Sequence, residues 1–212
     1  MRNIKQHEYV MKIFLQQLND RTDKYVLKGG TALAQCYGLD RLSEDIDLDS
    51  TQKIIEPIIT QFCADNHYTY RTKKDTETVQ RYMVDYDHEL DSSLKIEASY
   101  RKKEIPADDV TNINGITVYK INPLCVQKCA AYAGRDKIRD LYDLAFIVNT
   151  FYGQLETNTR SMVQTTLEHK GFEQFDYIMQ TQSDPLINND KLETEFLTMW
   201  DKMGLLTPKT LQ

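Results

Sequence analysis

The chain has 212 residues, 41% of them hydrophobic and 27% charged, with a formal net charge of −6 and a pI near 5.3. This length can bury a substantial core as one large domain or two small ones, and the composition is that of an ordinary globular protein. The acidity excludes a protein that coats nucleic acid non-specifically, and no run reaches the ~18 apolar residues that a membrane-spanning helix needs.

Residues Gln6 to Leu18 predict an amphipathic helix, with Tyr9, Val10, Ile13, Phe14 and Leu18 near helical spacing. Met1-Arg2-Asn3-Ile4-Lys5 carries no apolar signal core, so the expected location is the cytoplasm. Tyr25-Val26-Leu27 reads as a short buried strand ending at Gly29-Gly30, and Thr31 to Tyr37 as a helix stopped by Gly38. Asp45 to Asp49 reads as a second strand and Ile54 to Asn66 as a helix with Ile55, Ile58, Ile59 and Phe62 on one face. Strands are expected at Arg81–Tyr86 and Leu94–Ser99, joined by a turn rich in Asp87, Asp91, Ser92 and Ser93. A short last strand spans Thr117–Ile121, and Asn122-Pro123 supplies a helix cap and first-turn proline.

The remainder reads as helical. Leu124–Ala133 stops near Gly134, and a second helix carries Leu141, Leu144, Ala145 and Val148 at i, i+3, i+4, i+7. Further helices are expected around Met162–His169, Phe175–Met179 and Leu192–Met203, separated by Gly171 and by Ser183-Asp184-Pro185. The expected division is a mixed α/β domain over 1–122 and a helical bundle over 123–212.

Cys36, Cys63, Cys125 and Cys129 form no disulfide framework and no CxxC pair, and read as buried reduced thiols. His7, His67, His88 and His169 are scattered, and none sits in a nucleophilic triad. Chemistry is concentrated elsewhere. Asp45 and Asp47 alternate with Ile46 and Leu48, so on a strand both acids share one face while the apolar pair enters the core. Asp49 lies on that face too, but Leu48 favours Asp45 with Asp47 as the pair. Adjacent carboxylates repel, and Mg²⁺ relieves such repulsion; it is usually held by one or two carboxylates together with substrate phosphates. Gly29-Gly30 and Thr31, at a strand-to-helix turn, offer backbone N–H groups and a hydroxyl to a phosphate, although a plain tight turn and cap would look the same. Ser43 is one step back on the aspartate face.

Lys95-Ile96-Glu97-Ala98-Ser99 puts Glu97 opposite the core, where it can join the aspartates as a third metal ligand or form a cross-strand pair with a lysine. The run from Lys128 to Leu144 holds Lys128, Arg135, Lys137 and Arg139, cations able to neutralise a triphosphate. The alternative is helix-surface pairing of Arg139 with Asp143 and Lys137 with Asp140. Two more basic groups, Arg71-Lys73-Lys74 and Arg101-Lys102-Lys103, read as solvated surface or as contacts to an RNA backbone.

Leu27 to Leu33 followed by Arg41 to Leu48 resembles the first motif of the AbiEii/AbiGii toxin family of nucleotidyltransferases, within the DNA polymerase β-like superfamily. Lys128 through Asp143 is similar to that family's Lys…Arg-x-Lys-x-Arg-Asp-Leu-x-Asp-Leu run, so the resemblance covers roughly residues 24–148. It implies an α+β polymerase β-like mixed sheet with flanking helices and a C-terminal helical bundle. The roles implied are metal binding for Asp45, Asp47 and Glu97, and nucleotide binding for Gly29, Gly30, Thr31, Ser43, Lys128 and Arg135. Asp140 would be a further active-site acid alongside Asp45, Asp47 and Lys128, while Asp143 stabilises the helix. The expected activity is Mg²⁺-dependent transfer of NMP from an NTP to an acceptor, most readily RNA such as a tRNA 3′ end, by a toxin that has a cognate antitoxin. Protein nucleotidylation and a non-catalytic nucleotide- or partner-binding module are the alternatives.

Overall fold

The computed structural model describes residues 3–87 and 92–206. Two compact units divide the chain. One comprises the residues up to Gly38 together with Leu42–Tyr119, and the other comprises Leu39–Arg41 with the residues from Lys120 onward.

The first unit runs α1 (Ile4–Arg21), β1 (Tyr25–Lys28), α2 (Gly29–Tyr37), β2 (Asp45–Ser50), α3 (Ile55–Asn66), β3 (Thr69–Asp75), β4 (Val79–Asp87) and β5 (Ser92–Ser99). A 3₁₀ turn (Ala107–Asp109), β6 (Val110–Ile113) and β7 (Ile116–Tyr119) complete it. The strands form one seven-stranded mixed sheet in the order β3-β4-β5-β2-β1-β7-β6. The central strand β2 is antiparallel to β1 and parallel to β5.

Strict alternation makes one sheet face apolar. Ile46, Leu48, Tyr82, Val84, Leu94 and Ile96 are buried, while Arg81, Met83, Lys95 and Glu97 between them are only half-buried. Aromatic contacts run over the apolar face: Phe14 of α1 meets Phe62 of α3 edge-on, Phe62 meets Tyr68, and Tyr68 meets Tyr86 of β4. Asn3 caps α1 through its side chain, and Gly38, at φ 80°, ends α2 in the left-handed conformation expected of it.

Two strands have no counterpart in the sequence reading. β3 is exposed along almost its whole length and β6 pairs only with β7, so neither carries an apolar alternation to announce it. Ser92 and Ser93, expected in a turn, begin β5, whereas Asp91 of that turn and His88 lie outside the described residues.

The second unit holds α4 (Ile121–Gly134), α5 (Ile138–Phe151), a 3₁₀ turn (Tyr152–Gln154), α6 (Thr157–Thr181) and α7 (Asn189–Lys202). Its core includes Leu124, Leu141, Leu144, Val148, Val163 and Trp200, with Phe175 stacked on Phe196 at 3.9 Å. Within α6 the backbone leaves the helical conformation at Gly171, at φ 70° and ψ 174°, so the break between two helical segments falls where the sequence places it. The cap expected at Asn122 is also corrected. Lys120 is the N-cap and Asn122 lies within the first turn, where its side chain donates to the Gln154 carbonyl (3.0 Å) and accepts from the Glu156 N–H (2.8 Å). That exchange pins the α5–α6 connection rather than the start of α4.

Ile46 is fully buried between the two aspartates of β2. Ile46→Ala should cost about 2–5 kcal/mol in chemical denaturation, the penalty of a core cavity. A loss below half a kilocalorie would show that the aspartate strand is not anchored by its apolar face.

Candidate active site

The end of β1 and the start of β2 are neighbours, since Lys28 is in register with Asp47. At this corner the chain turns directly from strand into α2, and Gly29 takes φ 74°. A Cβ there would also lie 3.2 Å from Asp47 Oδ2. Only glycine satisfies both demands without strain, so the first glycine of the pair brings helix and carboxylate close together.

Side chains then fix the start of β2. The buried Thr31 hydroxyl donates to the Asp45 backbone carbonyl and lies 2.8 Å from Ser43 Oγ. This places the Thr31 hydroxyl on the protein, leaving the backbone N–H groups of the first turn of α2 as the phosphate-type donors. The buried His7 adds a second clamp, its Nε2 donating to the Glu44 carbonyl (2.9 Å) with Nδ1 2.7 Å from the Tyr86 hydroxyl.

Parallel pairing of β2 with β5 sets Asp45 beside Lys95 and Asp47 beside Glu97. Lys95 Nζ is 2.5 Å from Asp45 Oδ2. Arg81 Nε donates to Glu97 Oε2 at 2.6 Å, so the cross-strand partner of Glu97 is an arginine on β4 and not a lysine. Asp49 is buried and receives Lys28 Nζ at 2.5 Å and the Tyr119 hydroxyl at 3.0 Å. Asp47 alone of these acids makes no ion pair or hydrogen bond through its carboxylate among the described residues. Burial, with Asp45 and Glu97 pushing the same way against Lys95 and Lys28, holds the Asp47 carboxyl above its ordinary 3.8.

The helical unit holds the other candidates. Arg41 reaches Asp143 bidentately at 2.6 and 2.7 Å, and Lys128 Nζ lies 2.6 Å from Asp143 and 3.5 Å from Asp140. Arg135 grips Asp140 at 2.7 and 3.1 Å. Lys128, Asp140, Asp143 and Arg41 are all buried. The acids expected to pair along the helix surface thus serve an internal network, and Arg139 reaches Asp184.

The profile of the nucleotidyl transferase AbiEii toxin family, of type IV toxin–antitoxin systems, matches residues 13–211. The chain belongs to the AbiEii nucleotidyltransferase toxin family. Among solved structures it is similar over its whole length to JHP933 from Helicobacter pylori, at 30% identity and a TM-score of 0.82, covering 94% of that chain. A second H. pylori structure matches at 30% identity and a TM-score of 0.80, over 100% of this chain and 97% of that one. The nucleotidyltransferase toxin MenT4 from Mycobacterium tuberculosis shares the fold at 16% identity and a TM-score of 0.53, covering 95% of this chain and 84% of that one. No curated protein matches the sequence. An AbiEii-family enzyme is a nucleotidyltransferase with an NTP substrate, and its toxin family implies a cognate antitoxin.

The donor set suits the hard divalent cation expected of such an enzyme. Asp47 presents unpartnered carboxylate oxygens beside the Asp45 carboxylate, with Glu97 adding negative charge. Among the described residues no group of three His, Cys, Asp or Glu side chains is arranged to hold a metal by itself. Two carboxylates completed by water and phosphate oxygens are the coordination habit of Mg²⁺.

The positions of Lys95, Arg41 and His7 around this site are not legible in the sequence. Only the sheet register could place Lys95 on Asp45, and nothing in the local sequence of Arg41 or His7 points to partners 102 and 37 residues away.

Three outcomes follow from this geometry. Gly29→Ala should destabilise the AbiEii-family protein by about 1–2 kcal/mol through its left-handed backbone and depress transfer further by crowding Asp47; urea melts and turnover read the two effects separately. Asp143→Ala should cost about 3–5 kcal/mol by stripping Arg41 and Lys128 of a buried counter-charge, a loss visible by calorimetry without substrate. For Asp47 the raised carboxyl means that the folded state holds its proton more tightly than the unfolded chain, so stability falls as pH rises through the window above 3.8. Asp47→Asn should therefore hold or raise the metal-free Tm at pH 7, with the advantage fading as the pH drops below about 4.

Proposed function

We propose that this toxin uses Mg²⁺ and an NTP to transfer NMP to an RNA acceptor, with a tRNA 3′ end as the leading candidate, in the cytoplasm. The observation that carries this reading is the pair of β2 carboxylates projecting from the face opposite the core. Among the described residues, one is held only by an ammonium and the other has no ion-pair or hydrogen-bond partner, at the N-terminus of a helix brought close by Gly29.

Asp45 and Asp47 would hold the metal, which when bound supplies charge neutralisation at the α-phosphate and favours ionisation of the acceptor hydroxyl. The backbone N–H groups of Gly30 and Thr31 supply fixed donors to phosphate oxygens, and the helix dipole favours their negative charge. Thr31, on the Asp45 carbonyl, and His7, on the carbonyl of Glu44 just before β2, orient the strand and keep the carboxylates in place without consuming their lone pairs. Within the helical unit, Lys128 supplies a buried positive charge held by Asp140 and Asp143; the family resemblance gives it the triphosphate.

The acceptor assignment leans on exposed cations. Lys73 and Lys74 on β3 and Arg101 are exposed, whereas Arg71 is paired with Asp85 and Lys102 with Asp49 and Tyr119. Incubation with each labelled NTP, Mg²⁺ and total RNA or lysate should label RNA, and Asp45→Asn or Asp47→Asn should abolish the label while the protein stays folded. Reversing Lys73, Lys74 and Arg101 should weaken RNA labelling and flatten its salt dependence by roughly 0.7 to 0.9 log units of slope per lost phosphate contact. Label found only in protein would establish nucleotidylation of a polypeptide, and full transfer by both aspartate variants would remove the pair from the chemistry.

A further inference from the structure

Lys95 stands opposite Asp45 in the parallel β2–β5 register, its side chain on the same face, with Nζ 2.5 Å from Asp45 Oδ2. It is 29% exposed, against 41% for the aspartate, so the pair is open to exchange with solvent ions. The nearer cations of this face, Lys28 on β1 and Arg81 on β4, are engaged on Asp49 and Glu97, while Arg71 and Lys74 lie farther out on the edge strand β3. Lys95 is thus the cation in direct contact with the Asp45–Asp47 pair among the described residues, and it occupies an oxygen that a metal ion would need.

We propose that Lys95 is a displaceable counter-ion which makes metal loading depend on nucleotide. Resting on the Mg²⁺-dependent reading above, the inference gives Lys95 a positioning role through Asp45. In the metal-free protein Lys95 offsets the repulsion between the carboxylates. A free divalent cation must evict the ammonium and leave it without an anion, whereas a cation arriving with a triphosphate brings oxygens that can take the ammonium over. Lys95 therefore weakens binding of the bare metal and couples it positively to nucleotide.

The test is Mn²⁺ binding, read by electron paramagnetic resonance or titration calorimetry, with and without a non-hydrolysable NTP analogue. Lys95→Met should bind Mn²⁺ alone roughly five- to tenfold more tightly than wild type, and the nucleotide-dependent gain in Mn²⁺ affinity should shrink correspondingly. Lys95→Arg, which keeps the charge, should restore wild-type weakness toward bare Mn²⁺ while a merely structural stem would not discriminate between the two variants. Unchanged Mn²⁺ affinity in a folded Lys95→Met, with wild type still losing its Mn²⁺ on Asp47→Asn, overturns the role of Lys95 and leaves the metal site standing. Mn²⁺ binding that is absent from wild type even with the analogue, or indifferent to Asp47→Asn, overturns the metal reading itself and this inference with it.

Discussion

Like charges crowded onto one face of a sheet must be neutralised or tolerated, and the arrangement of this fold around β2 follows from that constraint. Asp45, Asp47 and Glu97 occupy adjacent rungs because β2 and β5 run parallel in register. At about 4 Å, two unit charges near a protein surface interact by roughly 4 kcal/mol, a large fraction of a domain's net stability. The sheet distributes cations accordingly: Lys95 on Asp45, Arg81 on Glu97 and Lys28 on Asp49. Asp47 is left out, and it is the one whose carboxyl is held above its ordinary range by burial and by its neighbours. A site selected for stability alone would place an asparagine there. Binding of the proposed metal is the gain that would offset the cost of keeping the charge there.

Two kinds of information separate what the sequence makes legible from what it conceals. Apolar periodicity is local, so the helices, the central strands and the outward face of Asp45 and Asp47 are all visible in it, as is the glycine corner. Pairing is non-local. β3 and β6 exist through backbone hydrogen bonds to β4 and β7 and carry little apolar pattern of their own. The ion-pair partners are hidden for the same reason: Asp143 looks like the i+4 partner of Arg139, yet it takes Arg41 from 102 residues away and Lys128 from the preceding helix. Helix ends also mislead when a side chain has a better use. Asn122 has the look of a cap, but its amide bridges Gln154 and Glu156.

The helical unit answers the same problem in the opposite way. Asp140 and Asp143 are as buried as any charge in the protein, yet each receives a bidentate guanidinium and shares the Lys128 ammonium. Buried ions held this way are costly to break, since removing one partner strands the others. A variant at Asp143 acts first on folding, whereas a variant at Asp47 removes a charge that makes no ion pair or hydrogen bond among the described residues. Loss of transfer in the two cases carries different meaning, and metal-free stability is the quantity that tells them apart.

The rigidity of β2 has to come from somewhere other than the carboxylates, because oxygens kept free for a ligand cannot also be used as anchors. The structure places that task on the backbone. Thr31 binds the carbonyl of Asp45, His7 binds the carbonyl of Glu44, and the fully buried Ile46 and Leu48 lock the strand from its other face. Each contact fixes the direction in which Asp45 and Asp47 project and spends none of their lone pairs, which is the requirement for a preorganised first shell supported from outside. Gly29 completes the arrangement by removing the one Cβ that would press against the Asp47 oxygen. The geometry explains why the glycine, the threonine and the alternating aspartates work as one unit: the hydroxyl and the glycine act on the strand, the strand aims the acids, and the acid oxygens stay open for the proposed metal.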